Sequence, residues 1–82
     1  MEVGDVVFEI KDPKQKNKLI YPYVIVEIDG DKCRIDNSSD WFVLEYFEPS
    51  KGMAFAQSLG MQRLTLEETK KMVRRAREYL MQ

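Results

Sequence analysis

Apolar residues in the first half of the chain recur at alternate positions, in short runs separated by polar stretches that contain glycine or proline. From Val3 to Ile10, Val6, Phe8 and Ile10 alternate with Val7 and Glu9, the period-two pattern of a strand. Gly4-Asp5 reads as a turn or bulge at its start. Lys11 to Lys18 holds no apolar residue and includes Pro13, so it predicts an exposed loop. A second strand is expected from Leu19 to Asp29, with Val24, Val26 and Ile28 alternating with Tyr23, Ile25 and Glu27. Pro22 has no N–H to donate to a ladder, which places an edge or bend near the strand's beginning. Asp29-Gly30-Asp31-Lys32 then predicts a tight hairpin into a third strand, Lys32 to Asp36, with Cys33 and Ile35 facing inward. Asn37 to Asp40 makes the next turn, and Trp41 to Phe47 a fourth strand ended by Glu48-Pro49. The inner faces of these strands predict a core of Val6, Phe8, Val24, Val26, Ile28 and Ile35.

The pattern changes period after residue 64. Thr65-Leu-Glu-Glu68 is a capping box, in which the threonine hydroxyl accepts from the third helical amide and the glutamate reaches back. From Leu66 to Met81 nothing breaks a helix. Leu66, Thr69, Met72, Val73, Ala76, Tyr79 and Leu80 fall on one arc, and Glu67, Lys70, Lys71, Arg74, Arg75, Arg77 and Glu78 on the other. Glu67 and Lys71 are spaced for an ion pair four residues apart. Such a helix is unstable alone, so its apolar stripe must dock. The expected site is the Trp41–Phe47 strand of its own chain, with pairing across a twofold axis as the alternative. The segment Met53–Gln57 reads equally well as a fifth strand or a helical turn.

Together these elements predict one α+β domain: a small antiparallel SH3-like β-barrel of four or five strands, followed by an amphipathic helix. Strands occupy residues 1–49, a connector 50–64 and the helix 65–82. A single domain agrees with the length of 82 residues. A chain this short buries only about 60–65% of the surface its unfolded form exposes. Hydrophobic residues at 44% exclude an intrinsically disordered chain. No run approaches the ~20 apolar residues of a membrane span. The N-terminus lacks the pattern of a secretion signal, and one cysteine, Cys33, suits a reducing cytoplasm.

Composition narrows the chemistry further. There is no histidine, so the Ser-His-Asp and Cys-His nucleophile systems are excluded. One thiol and no imidazole leave no zinc site, and the four scattered glycines make no phosphate loop. Asp29-Gly30-Asp31 has the look of a calcium loop, but Cys33 stands where an oxygen ligand is needed. No catalytic, cofactor or metal residue is assigned.

Charge is unevenly placed. Residues 1–49 carry six basic and eleven acidic groups, and residues 50–82 seven basic and three acidic. That asymmetry suits head-to-tail association of two copies or the docking of a polyanion, while the plainer reading is that each half solvates itself. Two groups of residues are candidates for binding. Tyr21, Tyr23, Trp41 and Tyr46 form an aromatic set with Phe42 and Phe47, and the segment Trp41–Phe47 is apolar on both faces. Aromatics exposed on a small barrel can stack bases or cage a cation, although a covering helix would explain them without a ligand. Lys14, Lys16 and Lys18 in the loop, with Lys70, Lys71, Arg74 and Arg75 on the helix, are candidates for contacting a polyanion. Glu67, Glu68 and Glu78 interrupt that helix face, and the whole chain is weakly acidic.

The reading that follows is a small non-enzymatic binding or regulatory module acting through protein contacts. Its size and want of catalytic groups also suit an accessory protein of a phage or mobile element. The alternative is a nucleic-acid binder using the lysine loop and basic helix. A weaker third is a protein that sequesters a small molecule in an aromatic pocket.

Overall fold

A hairpin turning at Gly30, whose φ of 61° suits a residue without a side chain, organises the sheet. The computed structural model describes residues 1–10, 14, 20–61 and 64–82. The strands are β1 (Val6–Glu9), β2 (Pro22–Asp29), β3 (Lys32–Ile35), β4 (Phe42–Val43) and β5 (Phe47–Glu48), and the helices are α1 (Pro49–Ser58) and α2 (Leu66–Leu80). All pairings are antiparallel and the order is β4-β3-β2-β1-β5. The sheet is not closed among the described residues, because β4 and β5 bound the order without pairing to each other.

The expected fourth strand is two strands on opposite edges. Phe42–Val43 pairs with β3, a 3₁₀ turn spans Leu44–Tyr46, and Phe47–Glu48 pairs with β1. The run Trp41–Phe47 is apolar at nearly every position, so alternation gave no sign of the break. The segment after it, read as a connector, is α1, with Pro49 at its first position, where a missing N–H costs nothing.

The sheet is buried on both faces, which corrects the expected core. Val7, Ile25, Cys33, Ile35 and Phe47 form one layer. Val6, Val24, Met61 and Val73 form the other, beneath the helices, with Phe55, Leu66 and Met72 packed against it. Val7 and Ile25, assigned by alternation to the outer face, are fully buried, while Phe8, Val26 and Ile28 are only half-buried. Two causes act together. The helices cover a face that a one-sided sheet would leave wet. A register shift between Ile25 and Glu27 also reverses the alternation, so that Ile25 faces Ile35 and Ile28 faces Cys33.

The C-terminal helix begins as expected. Thr65 Oγ1 accepts from the Glu68 amide at 3.2 Å, and the Glu68 carboxylate accepts from the Thr65 amide at 3.2 Å. The Thr65 amide and hydroxyl, both donating to the Glu68 carboxylate, hold its pKa below the ordinary value. Lys70 is the residue that pairs with Glu67, at 3.3 Å, where Lys71 was expected. The helix packs within its own chain, against β2 rather than against residues 41–47. Its buried face is Thr69, Val73 and Arg77, so the stripe was read one step out of phase at its end. Tyr79 is 76% exposed and Leu80 is also exposed, although both were assigned to the apolar arc.

Gly52 is where α1 meets the sheet. A Cβ there would overlap the Val6 carbonyl and stand 2.8 Å from the Val7 Cα, so only glycine lets the helix approach β1 this closely. Gly52→Ala is therefore expected to destabilise the protein by at least about 2 kcal/mol. Lys51→Ala, on the exposed side of the same turn, should stay within about 0.5 kcal/mol. Urea unfolding of the two variants checks this, and equal midpoints would show that the contact is slack.

Candidate functional site

Four of the six aromatics of the expected set meet around one ring. Phe47, buried in the first core layer, has Tyr23, Phe42 and Tyr46 about it, with ring centroids 6.3, 6.0 and 6.0 Å away. The planes are inclined to that of Phe47 by 70°, 83° and 65°, the edge-to-face arrangement that aromatic quadrupoles favour. β2, β4, the 3₁₀ turn and β5 each supply one ring, so the split of residues 41–47 between two sheet edges assembles the group. The rings line a cleft of about 220 Å³ with Glu9, Ile35, Asn37 and Ser38. Tyr46 is 57% exposed at its mouth, and Ile10, also exposed, donates its amide to the Tyr46 carbonyl at 2.9 Å. The helices lie over the other core layer and leave this cleft open. Burial pushes the Tyr23 phenol above its ordinary pKa; the Glu9 carboxylate adds to the shift and the Arg77 guanidinium opposes it.

The other two aromatic candidates lie elsewhere. Tyr21 is half-buried just before β2 and does not line the cleft. Trp41 is exposed and carries the Arg34 guanidinium 5.6 Å from its ring centre.

Of the basic candidates, three on α2 come together among the described residues. Lys14 is exposed in a turn, and Lys16 and Lys18 lie outside the described residues. Lys70, Lys71 and Arg74 line a second cleft, of about 390 Å³, with Asp36, Glu67 and Arg77. Arg75 is exposed outside it. Arg77, placed by the sequence on the basic face of the helix with Lys70, Lys71, Arg74 and Arg75, is buried. It forms two hydrogen bonds with the Asp36 carboxylate, at 3.3 and 3.1 Å, and donates to the Pro22 carbonyl at 3.0 Å. Its guanidinium also lies 5.2 Å from the Tyr23 ring centre. Asp36 in turn accepts from the Val24 amide at 3.0 Å. The partners are 41 residues apart, so no local spacing signals the pair.

A third cleft, of about 430 Å³, opens between α1 and the start of α2 and is lined largely by apolar side chains, among them Val6, Met53 and Leu66. Cys33 is fully buried, and burial raises its thiol pKa, so it behaves as a small hydrophobe. Among the described residues no group of three or more histidine, cysteine, aspartate or glutamate side chains is placed to hold a metal ion. No described helix is long and apolar enough to cross a membrane. Comparison with protein-family models, with curated proteins and with solved structures finds no match to this chain.

The Arg77–Asp36 pair should be essential to the fold. Removing one partner strands a buried charge, so Arg77→Met is expected to cost about 3–5 kcal/mol. In a domain of this size that lowers the melting temperature by more than about 10 °C. Arg77→Lys should not restore it, because an ammonium cannot span both carboxylate oxygens. Thermal melts by circular dichroism measure both variants, and a melt near the parent's for Arg77→Met would contradict the role given to the pair.

Proposed function

We propose that the chain is a small non-enzymatic binding or regulatory module that acts through protein contacts made at the aromatic cleft. The observation that carries this reading is the convergence of Tyr23, Phe42, Tyr46 and Phe47 on a sheet face that neither helix covers. Aromatic side chains beside a cleft are the groups that most often anchor a protein interface. The sheet order supports a finer view of the fold. A series β4-β3-β2-β1-β5, with a 3₁₀ turn carrying the chain from one edge to the other, favours the reading of an SH3-like barrel. The contact of Phe42 and Phe47 across that gap is consistent with the curl such a barrel needs.

A nucleic-acid contact is the second reading. Lys70, Lys71 and Arg74 beside one cleft favour it, while Asp36 and Glu67 in the same lining weaken the field there.

Affinity capture from lysate of the source organism separates the two. The parent, Tyr46→Ala and a Lys71→Ala/Arg74→Ala/Arg75→Ala variant are each used as bait, with and without nuclease. A partner retained by the parent and the triple variant, insensitive to nuclease and lost with Tyr46→Ala, supports the protein-contact reading. A partner lost with nuclease or with the triple variant, and kept by Tyr46→Ala, overturns it in favour of nucleic acid.

A further inference from the structure

The cleft beside α2 holds more positive charge than its own acids use. Four cations, Lys70, Lys71, Arg74 and Arg77, line it with two carboxylates, Asp36 and Glu67. Each carboxylate has its own cation. Asp36 is held by both prongs of Arg77 and by the Val24 amide, and Glu67 pairs with Lys70 at 3.3 Å. That leaves Lys71 and Arg74. The Arg74 guanidinium is exposed and has neither an ion pair nor a hydrogen bond among the described residues. Lys71 makes no ion pair there either. Its charge acts at longer range on Glu68, whose carboxylate the Thr65 amide and hydroxyl already hold.

The two spare cations stand together. Residues three apart on a helix are surface neighbours, with Cβ atoms about 5–6 Å apart. A guanidinium presents a fork that matches two oxygens of one phosphate, and an ammonium supplies a further point charge. Asn37, exposed in the turn after β3, lines the same cleft from the sheet side and carries an amide with two N–H donors. Three kinds of donor thus border one space of about 390 Å³, and an anion of charge near −2 matches the surplus. A nucleic-acid strand matches it less well. It needs cations spaced along its backbone, whereas Arg75 stands outside the cleft and two carboxylates lie within it.

We propose that this cleft binds one dianionic phosphate group, as free phosphate or as a small phosphomonoester, through Arg74 and Lys71 with Asn37 closing it. The site uses none of the rings of the aromatic cleft and goes beyond the protein-contact reading. The Arg77–Asp36 pair serves it as well. By keeping Asp36 neutralised, Arg77 spares an incoming anion the repulsion of a bare carboxylate.

The test is a titration of the ¹⁵N-labelled protein with inorganic phosphate, methyl phosphate, dimethyl phosphate and an oligothymidylate. Ionic strength is matched and the pH held at about 8, where phosphate and its monoester are dianions. Inorganic phosphate is expected to give saturable shifts of the amides of residues 37, 71 and 74. Dimethyl phosphate, a monoanion, should bind at least about fivefold more weakly. Methyl phosphate binding as well as inorganic phosphate assigns the site to monoesters, and inorganic phosphate binding alone assigns it to the free anion; both results support a dianion site. Arg74→Ala should weaken phosphate about tenfold. Arg75→Ala removes the same charge from the same helix outside the cleft and should leave binding unchanged, both variants melting near the parent. Equal losses with the two variants would reveal unspecific attraction to the helix and overturn the site. An oligothymidylate that binds more tightly than inorganic phosphate at equal phosphate concentration would overturn it in favour of nucleic acid. Absence of any saturable shift would overturn it too, while the protein-contact reading is judged separately by capture with Tyr46→Ala.

Discussion

One buried ion pair ties the helical layer to the sheet. Asp36 and Arg77 come from the end of β3 and the last turns of α2, and each is held by more than the other. Asp36 accepts the Val24 amide and Arg77 donates to the Pro22 carbonyl, so the pair also satisfies two backbone groups at the start of β2. Burying two charges carries a desolvation cost of several kcal/mol per ion, which only good geometry and further hydrogen bonds offset. Here the two-pronged contact and the backbone bonds supply both. What the pair adds is specificity of position: α2 can lie along β2 at one rotation and one height, since any other leaves a charge without a partner. Tyr23, with the Arg77 guanidinium against its ring and the aromatic cleft beside it, takes its place from that same arrangement.

Much of this was legible in the residues, and the parts that were not share a cause. The capping box at Thr65 and Glu68 and the turn at Gly30 are local, and each depends on residues within a few positions of one another, whereas Pro22, expected to mark an edge or bend in a strand from Leu19, opens a strand in the middle of the sheet. Tyr23 and Tyr46 were named among the aromatic candidates, and the fold brings both to the ring group around Phe47. Arg77 could not be distinguished from Arg74 or Arg75, since its partner is fixed only by the tertiary fold. Ile25 was assigned to an outer face because one buried face was assumed where there are two, and Ile28 shares its layer because one irregular residue between Ile25 and Glu27 resets the period-two pattern beyond it. Phe42, Phe47 and Glu9 complete the cleft only once Trp41–Phe47 divides between two edges, and a run apolar at nearly every step does not announce where it bends.

The second core layer makes the small sheet viable. A sheet of this size with one wet face would have a thin core, and the helices supply the missing apolar cover through Val73, Leu66, Met72 and Phe55. Gly52 sets how close that cover comes, since α1 rests on the β1 backbone itself. The first layer carries the cleft at its margin, where Phe47 is at once a core residue and the centre of the ring group. Under the proposed function stability and recognition would share that side chain, and the more exposed members, Tyr46 above all, are the ones free to differ without loss of the fold.

The two outermost strands, β4 and β5, are each two residues long and are joined by a 3₁₀ turn. Such edges present very few unpaired backbone groups side by side. A visiting peptide that tried to extend the sheet as an additional strand would find almost no ladder to join, and copies of the protein would find no template for edge-to-edge aggregation. Under the proposed protein-contact function, selectivity at this surface would come from side chains, because a partner's backbone has nothing regular to read.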